Sequence, residues 1–368
     1  MKLIKLEIFQ LEMRMKTPFS TSFGTVQNKP LYFVKATDES GIVGWGEGVA
    51  FEAPSYTEET QKTSLHIIEE FLVPRLLHQP LKHPNEVNQL FAPIRRNQMA
   101  KASIEMAVWD IYAQIQKTSL AQVIGGTRSQ IDVGISLGIE PTIEKQLEKV
   151  AYFVKQGYKR VKIKIKPGWD VEVVKAIRTA YPNLPLMVDA NSAYTLNDMN
   201  HLKQLDPYNL LMIEQPLAHD DLIDHATLQQ HIQTPICLDE SICSYEDARK
   251  AIQIEACKVI NLKIARVGGI SESIKIHDLC VERGIDLWCG GMLEAGIGRA
   301  HCVAITSLPG FNLPGDTAAS SKYWEKDIIS PEVEVNEGLI DVPNLVGIGY
   351  KVEEETIKEQ SLKYDKYD

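Results

Sequence analysis

Short apolar runs that end in a charged residue recur along the middle of this chain. Five of them end at Lys164, Asp189, Glu214, Asp239 and Lys263, at intervals of 25, 25, 25 and 24 residues. One strand and its following helix take roughly 25 to 35 residues in a (β/α)₈ barrel, and the functional groups lie where the strands end. The spacing therefore predicts successive βα units whose charged ends meet in one cavity.

The strand and helix patterns continue on both sides of these runs. We predict opening strands at 131–139 and 158–165, a seventh strand at 284–291, an eighth at 311–314, and helices at 142–156, 170–180, 269–283 and 296–307. Alternating strands and helices are typical of an α/β fold with a parallel sheet. Residues 126–320 are therefore predicted to form the barrel.

The first part of the chain has a different pattern. Alternating apolar and polar positions predict antiparallel strands, and helical patterns follow them; the strands are at 3–14, 31–38 and 42–50, and the helices near 57–77, 84–95 and 99–117. We predict an α+β domain over residues 1–125. The tail, residues 321–368, has no barrel unit left to form, so we expect it to pack back on this first domain.

Composition narrows the class of protein. Of the 368 residues, 44% are hydrophobic and 24% are charged, which is typical of a globular chain, and no apolar run approaches the ~20 residues of a membrane span. The start of the chain lacks an apolar signal core, so we expect a cytoplasmic protein. A net charge of −10 argues against nucleic-acid or anionic membrane partners. The six cysteines, without a C-x-x-C pair, are expected to be small core residues.

Lysines occupy every other position of the second barrel strand: Lys162, Lys164 and Lys166, between valine and isoleucine residues. Period two places all three on one face. Both faces of a barrel strand are normally apolar, so such a row is costly unless it serves a site. The alternative is an edge strand with a solvated face.

Three carboxylates end successive strands: Asp189, Glu214 and Asp239. Like charges at close range raise one another's pKa unless a cation lies between them. An all-oxygen ligand set suits Mg²⁺, and Mn²⁺ can substitute. Each acid taken alone could instead cap a helix or pair with a lysine.

The lysines are candidates for acid/base catalysis beside such a cation. A lysine acts as a general base when neighbouring positive charge lowers its pKa, and Lys162 beside Lys164 supplies such charge. With Lys263 on the opposite side, the natural substrate is a small carboxylate that loses its α-proton to give an enediolate. Two alternatives stay open: a Schiff-base aldolase that uses Lys164 or Lys263, and a metal-stabilised barrel that serves as a binding scaffold.

These features together resemble the muconate-lactonising subgroup of the enolase superfamily. The strings that carry a closer resemblance, to the o-succinylbenzoate synthase / N-succinylamino acid racemase family, are RVKIKIKPGWD, MVDANSAYTL, LLMIEQPL, PICLDESI, INLKIARVGG, WCGGMLEAGIGRA and LPGDTAAS. The resemblance implies a modified barrel of the (β/α)₇β type. It also implies an N-terminal α+β capping domain that the C-terminal tail completes, and assembly into a homo-oligomer.

The resemblance further implies roles for individual residues. The metal ligands would be Asp189, Glu214 and Asp239, with Lys164 and Lys263 as acid/base residues on opposite faces and Lys162 tuning Lys164. The residues expected to line the substrate pocket are Ser136, Asn191, Met292 and Leu293, under loops at residues 19–25 and at Phe51. Arg266 fits the pattern of members with racemase activity.

Two reactions follow from this resemblance. In the synthase reaction, 2-succinyl-6-hydroxy-2,4-cyclohexadiene-1-carboxylate loses water in syn fashion to give o-succinylbenzoate for menaquinone biosynthesis. Lys164 would take the α-proton and protonate the leaving hydroxyl, while Lys263 stabilises the enediolate. In racemisation of an N-succinylamino acid, each lysine would serve one face. A dipeptide epimerase or a muconate cycloisomerase shares the same charged residues.

Overall fold

The computed structural model describes residues 1–21 and 24–368, which form an antiparallel N-terminal sheet and a curled parallel sheet. The strands are β1 (Leu3–Thr21), β2 (Gly24–Asp38), β3 (Val43–Gly48), β4 (Gln130–Asp132), β5 (Ile135–Leu137), β6 (Val161–Lys164), β7 (Leu186–Asp189), β8 (Ile213–Glu214), β9 (Ile236–Leu238), β10 (Val259–Leu262), β11 (Asp286–Cys289), β12 (Ile329–Ser330), β13 (Leu339–Asp341), β14 (Lys351–Val352) and β15 (Lys363–Tyr367).

Helices cover the parallel sheet and one face of the N-terminal sheet. They are α1 (Gln61–Ile67), α2 (Val73–Leu76), α3 (Asn85–Phe91), α4 (Gln98–Ile115), α5 (Leu120–Val123), α6 (Ile143–Lys155), α7 (Val171–Ala180), α8 (Met199–Leu202), α9 (Leu222–His231), α10 (Tyr245–Gln253), α11 (Ile264–Val267), α12 (Ile270–Arg283), α13 (Gly296–Thr306), α14 (Ser320–Tyr323) and α15 (Glu354–Gln360). A π-helical turn, Ile68–Leu72, joins α1 to α2. No helix in the described parts of the chain is long and apolar enough to cross a membrane.

The parallel sheet runs in the order β5 to β11, with each strand beside its neighbour in sequence. Its register sets the charged ends opposite one another, because Lys164 pairs with Asp189 and Asp189 pairs with Glu214. The sheet therefore brings the predicted charges to one edge. The α/β barrel class predicted from the sequence is confirmed.

The predicted eighth strand is wrong as a continuous strand. The segment at 311–315 makes two isolated bridges, Phe311 with Leu287 and Gly315 with Val133, and these lie between β11 and the start of β5. Pro314 has no backbone N–H, and the Asn312 side-chain oxygen takes the Leu287 N–H at 3.0 Å. Where the barrel closes, a side-chain hydrogen bond and isolated backbone bridges thus take the place of a regular β-ladder.

The N-terminal sheet has the order β15-β1-β2-β3, so a strand from the tail forms its outer edge. β15 pairs antiparallel with β1 from Leu6 and Tyr367 to Gln10 and Lys363. β1 and β2 run further than the predicted strands, because they continue into a long hairpin. The capping sheet completed by the C-terminal tail is confirmed as part of the fold class. The bounds at 125 and 320 stay predictions.

α4 connects the two parts of the molecule. It lies so close to β3 that a Cβ on Gly46 would overlap the Ser103 carbonyl oxygen. On its other side, the buried Glu105 carboxylate accepts from the backbone N–H groups of Ile270 and Ser271, at 2.7 and 2.8 Å, where α12 begins. The cap and the barrel are therefore joined through a helix with little room to move.

The six cysteines are free thiols, and five of them are buried while Cys243 is partly exposed. The prediction that they are small core residues is confirmed for the five buried cysteines.

Replacing Gly46 with alanine tests the close contact between α4 and β3. The new methyl group would force the helix away from the sheet, so we expect the free energy of unfolding to fall by about 1–3 kcal/mol. Gly284→Asn is the control, because this position has φ +65° with open space around it and asparagine tolerates that conformation. Denaturant titrations that show equal stability for both variants would contradict the close-packing account.

Candidate active site

A cavity of about 640 Å³, including space open to solvent, lies at the carboxyl ends of the parallel strands. Of the ten predicted site residues, eight line it: Ser136, Lys162, Lys164, Asp189, Asn191, Lys263, Met292 and Leu293. Glu214 and Asp239 lie behind this lining, fully buried and bonded to the lysines. The structure thus brings all ten residues together.

The capping domain supplies one side of this cavity, through Phe19, Val26, Phe51 and Tyr56. Phe19 and Phe51 were expected in loops that close over the substrate, but Phe19 lies in the strand β1, which pairs there with β2. Within the predicted loop at 19–25, Ser22 and Phe23 lie outside the described residues.

Lys164 lies at the end of β6 between two oxygen acceptors. Its Nζ donates to Asp189 Oδ2 and to Asn191 Oδ1, both at 2.6 Å. The Asn191 amide nitrogen donates in turn to Glu240 Oε1 at 2.9 Å, which fixes the side-chain oxygen toward the lysine. The Lys164 ammonium is therefore held in a defined position at the cavity wall.

Lys162 lies two residues earlier on β6 and lines the same cavity, where it is more deeply buried than Lys164. Its Nζ lies 2.9 Å from Glu214 Oε2, 2.9 Å from Asp316 Oδ2 and 3.3 Å from Asp189 Oδ2. Burial by itself lowers the pKa of Lys162, but the charges of Asp316, Glu214 and Asp189 raise that pKa well above its ordinary value. Lys162 is therefore a permanent positive charge beside Lys164.

Lys166 does not share this arrangement, which corrects the predicted row of three lysines. β6 ends at Lys164, and Lys166 lies in the turn that follows, with an exposed side chain. The strand alternation no longer applies once the backbone leaves the sheet.

Lys263 follows β10 and reaches the cavity from another strand. Its Nζ donates to Asp239 Oδ2 at 2.9 Å and to the Tyr56 hydroxyl at 2.8 Å. The Arg266 guanidinium binds the other Asp239 oxygen and donates to Ile242 O at 2.8 Å. Burial favours a raised pKa for Asp239, but Arg266 and Lys263 hold it well below its usual range. Arg266 therefore fixes the charge and the orientation of Asp239.

Asp316 is a site residue that the sequence reasoning missed. Its carboxylate accepts from Ser136 Oγ at 2.9 Å and from Arg160 Nη2 at 2.7 Å, besides Lys162. Although burial alone raises the pKa of Asp316, the charges of Lys162 and Arg160 hold it well below its usual range. The available signal was an aspartate just after the predicted eighth strand, the position at which the other strands carry their charges.

Tyr56 was missed as well, because it comes from the capping domain. Its hydroxyl lies within hydrogen-bond distance of Asp239, Lys263 and Arg266. No periodicity in the first 125 residues marks it, because the contact between the capping domain and the barrel places it in the site.

The carboxylate set has the chemistry that a hard cation prefers. Burial and the charge of Asp189 raise the pKa of Glu214 to about 8, so holding all the acids ionised demands nearby positive charge. Among the residues that the structure describes, no three are arranged to hold a metal ion as they stand. The carboxylate oxygens accept from Lys162, Lys164 and Lys263, and as an all-oxygen donor set they fit Mg²⁺.

Comparison with protein families identifies the chain. The enolase C-terminal domain-like family model matches residues 145–356, and the mandelate racemase / muconate lactonizing enzyme N-terminal domain model matches residues 3–125. The chain belongs to the enolase superfamily. The resemblance inferred from the sequence is confirmed.

Individual relatives are similar along nearly the whole chain. An o-succinylbenzoate synthase of Geobacillus kaustophilus is 59% identical over 95% of this chain and 93% of that protein. An N-succinylamino acid racemase of Thermus thermophilus is 48% identical over 95% of this chain and 94% of its own length. A crystal structure of an enolase superfamily member from Listeria innocua has a TM-score of 0.97 and 44% identity, and covers 100% of this chain and 99% of that one.

Asp316→Asn tests the buried charges behind the cavity. Removing this anion takes from the buried Arg160 guanidinium its carboxylate partner and leaves Lys162 with Glu214 and Asp189 alone, so we expect the free energy of unfolding to fall by about 3–5 kcal/mol. Asp38→Asn is the matched control, since within residues 1–21 and 24–368 this buried aspartate accepts only from groups of its own turn and has no cationic partner. If chemical denaturation shows similar losses for the two variants, the charge argument fails.

Proposed function

We propose that this enolase-superfamily member is an o-succinylbenzoate synthase, a carbon–oxygen lyase. The observation that carries the proposal is the placement of Lys164 and Lys263 on different strands, each against a carboxylate, in one cavity at the strand ends. The Geobacillus kaustophilus relative with that name, at 59% identity, supports it. The reaction is the dehydration of 2-succinyl-6-hydroxy-2,4-cyclohexadiene-1-carboxylate to o-succinylbenzoate.

The lysines supply the proton transfers of this reaction. Neutral Lys164 takes the α-proton of the substrate carboxylate, and the C–H electron pair moves into an enediolate. Lys164 then returns a proton to the hydroxyl as the C–O bond breaks, and water leaves from the same face. The Lys263 ammonium stabilises the negative charge of the enediolate from the other side. Lys162 places a second positive charge beside Lys164 at the cavity.

We also propose that Asp189, Glu214 and Asp239 hold Mg²⁺, for which Mn²⁺ can substitute. When bound, this cation supplies positive charge that stabilises the enediolate. The donor set supports the proposal because it contains only carboxylate oxygens. Ser136, Asn191, Met292 and Leu293 are proposed to contact the substrate. A cytoplasmic location and assembly into a homo-oligomer stay predictions.

Racemisation of N-succinylamino acids is the second candidate function. It needs an acid/base group on each face of the α-carbon, and Lys164 and Lys263 reach the cavity from β6 and from the end of β10. The Thermus thermophilus relative, which bears the racemase name at 48% identity, favours the same activity. The two reactions share every proposed catalytic group, so one site can host both.

Lysine variants test the dehydration mechanism. We expect Lys164→Ala and Lys263→Ala each to lower kcat/KM for dehydration about 10²–10⁴-fold, because each removes a group that moves or stabilises charge in the transition state. Lys166→Ala is the matched control and is expected to retain activity, since this exposed lysine lies outside the cavity. Full activity in either cavity variant would refute the assignment.

Chelation and trapping separate this mechanism from a Schiff-base aldolase. We expect EDTA to abolish dehydration and Mg²⁺ to restore it, while borohydride added with substrate labels no lysine. Activity that survives EDTA, together with borohydride labelling, would identify the aldolase instead.

Proton exchange in D₂O tests the two-faced arrangement. In Lys164→Ala, Lys263 still reaches one face, so we expect deuterium to enter the α-position of only one enantiomer of an N-succinylamino acid. Lys263→Ala is expected to exchange only the other enantiomer, as measured by NMR. The same enantiomer exchanging in both variants would rule out opposed lysines.

A further inference from the structure

A second cavity adjoins the candidate active site. Phe19 and Ser136 line both cavities, so the two spaces share a wall at these residues. Lys322 lines the second cavity, and its neighbour Tyr323 lines the first. Lys322 therefore stands at the junction between them.

The charged lining of the second cavity leaves an excess of positive charge. Its two glutamates are already paired, Glu140 with Lys149 and Glu148 with Lys145. In the described portion of the structure, neither Lys322 nor Lys16 has a carboxylate within ion-pair distance. Lys16 is exposed to water, whereas Lys322 is only partly exposed. Lys322 has thus lost more of its hydration than Lys16, and an anionic partner would replace those lost contacts with water.

The contacts of Lys322 orient its ammonium without neutralising it. Nζ donates to Ser136 O at 3.2 Å and lies 3.4 Å from the Tyr323 hydroxyl. The nearby Asp316 carboxylate is already engaged by Lys162, Arg160 and Ser136. Burial lowers the pKa of Lys322 to about 7, despite the opposing charge of Asp316. An ammonium has three donors, so one remains for a ligand.

A short chain of contacts connects Lys322 to the charged groups of the first cavity. Ser136 connects them, because its carbonyl accepts from Lys322 while its hydroxyl donates to Asp316, which contacts Lys162. A ligand with one carboxylate among the catalytic lysines can thus reach Lys322 with a short arm. Both proposed substrates have a second carboxylate on a succinyl arm.

We propose that Lys322 binds the second carboxylate of a dicarboxylate substrate, the one that ends the succinyl arm. This inference rests on the proposed function and adds a residue that selects for the charged arm. It explains the position of an unpaired lysine at the junction of the two cavities.

The test compares two ligands in equilibrium binding, without turnover. The probes are o-succinylbenzoate and its amide, in which the carboxylate at the end of the succinyl arm is a neutral carboxamide. Calorimetry is carried out in Mg²⁺. We expect the wild-type protein to prefer the carboxylate about 10–100-fold, as is usual for a charge-assisted hydrogen bond, and Lys322→Gln to lose that preference. Lys322→Arg should keep most of it.

The controls separate Lys322 from general charge effects. Lys149→Gln removes one positive charge from the same cavity and should leave the preference unchanged, and Lys16→Gln should do the same. The inference is overturned if the wild-type protein shows no preference, if Lys322→Gln weakens both probes equally, or if Lys16→Gln removes the preference. Failure of the proposed function is measured separately by turnover, since the wild-type protein would then catalyse neither reaction, whatever its preference between the probes.

Discussion

The site depends on buried positive and negative charges that alternate in space. Arg160, Asp316, Lys162 and Glu214 form a chain of ion pairs, and the indole ring of Trp288 lies under both Arg160 and Lys162, at 4.9 and 4.8 Å. Each charge is tolerable inside the barrel only because its neighbour has the opposite sign. This chain of ion pairs lies behind the cavity wall and therefore stabilises the lysine and the carboxylates there.

Much of this arrangement could be predicted because barrel geometry converts sequence spacing into position. The interval of 25 residues located Lys164, Asp189 and Glu214 at one sheet edge, and strand pairing places them opposite one another. The predicted positions are correct where the strands are regular and end side by side at the same edge of the sheet. The position of Lys263, directly after β10, followed from the same rule.

The rest could not be predicted, for two physical reasons. Asp316 follows a segment that closes the barrel through isolated bridges, so no regular strand marks its level. Tyr56 reaches Lys263 across the contact between the domains, which no local pattern encodes. Lys166 shows the opposite error. It continues the period-two spacing of Lys162 and Lys164 and was predicted on their face, but it lies beyond the end of the strand. Sequence periodicity thus identifies residues on regular elements and misses those placed by tertiary contacts.

The pairing of β15 with β1 has a consequence for synthesis of the protein on the ribosome. β1 is made well before β15, so its outer edge receives this partner only after residues 363–367 have been made. An unpaired strand edge can pair with other chains in the meantime. The segment that completes the cap is thus made after the barrel, and the outer edge of β1 needs protection until then.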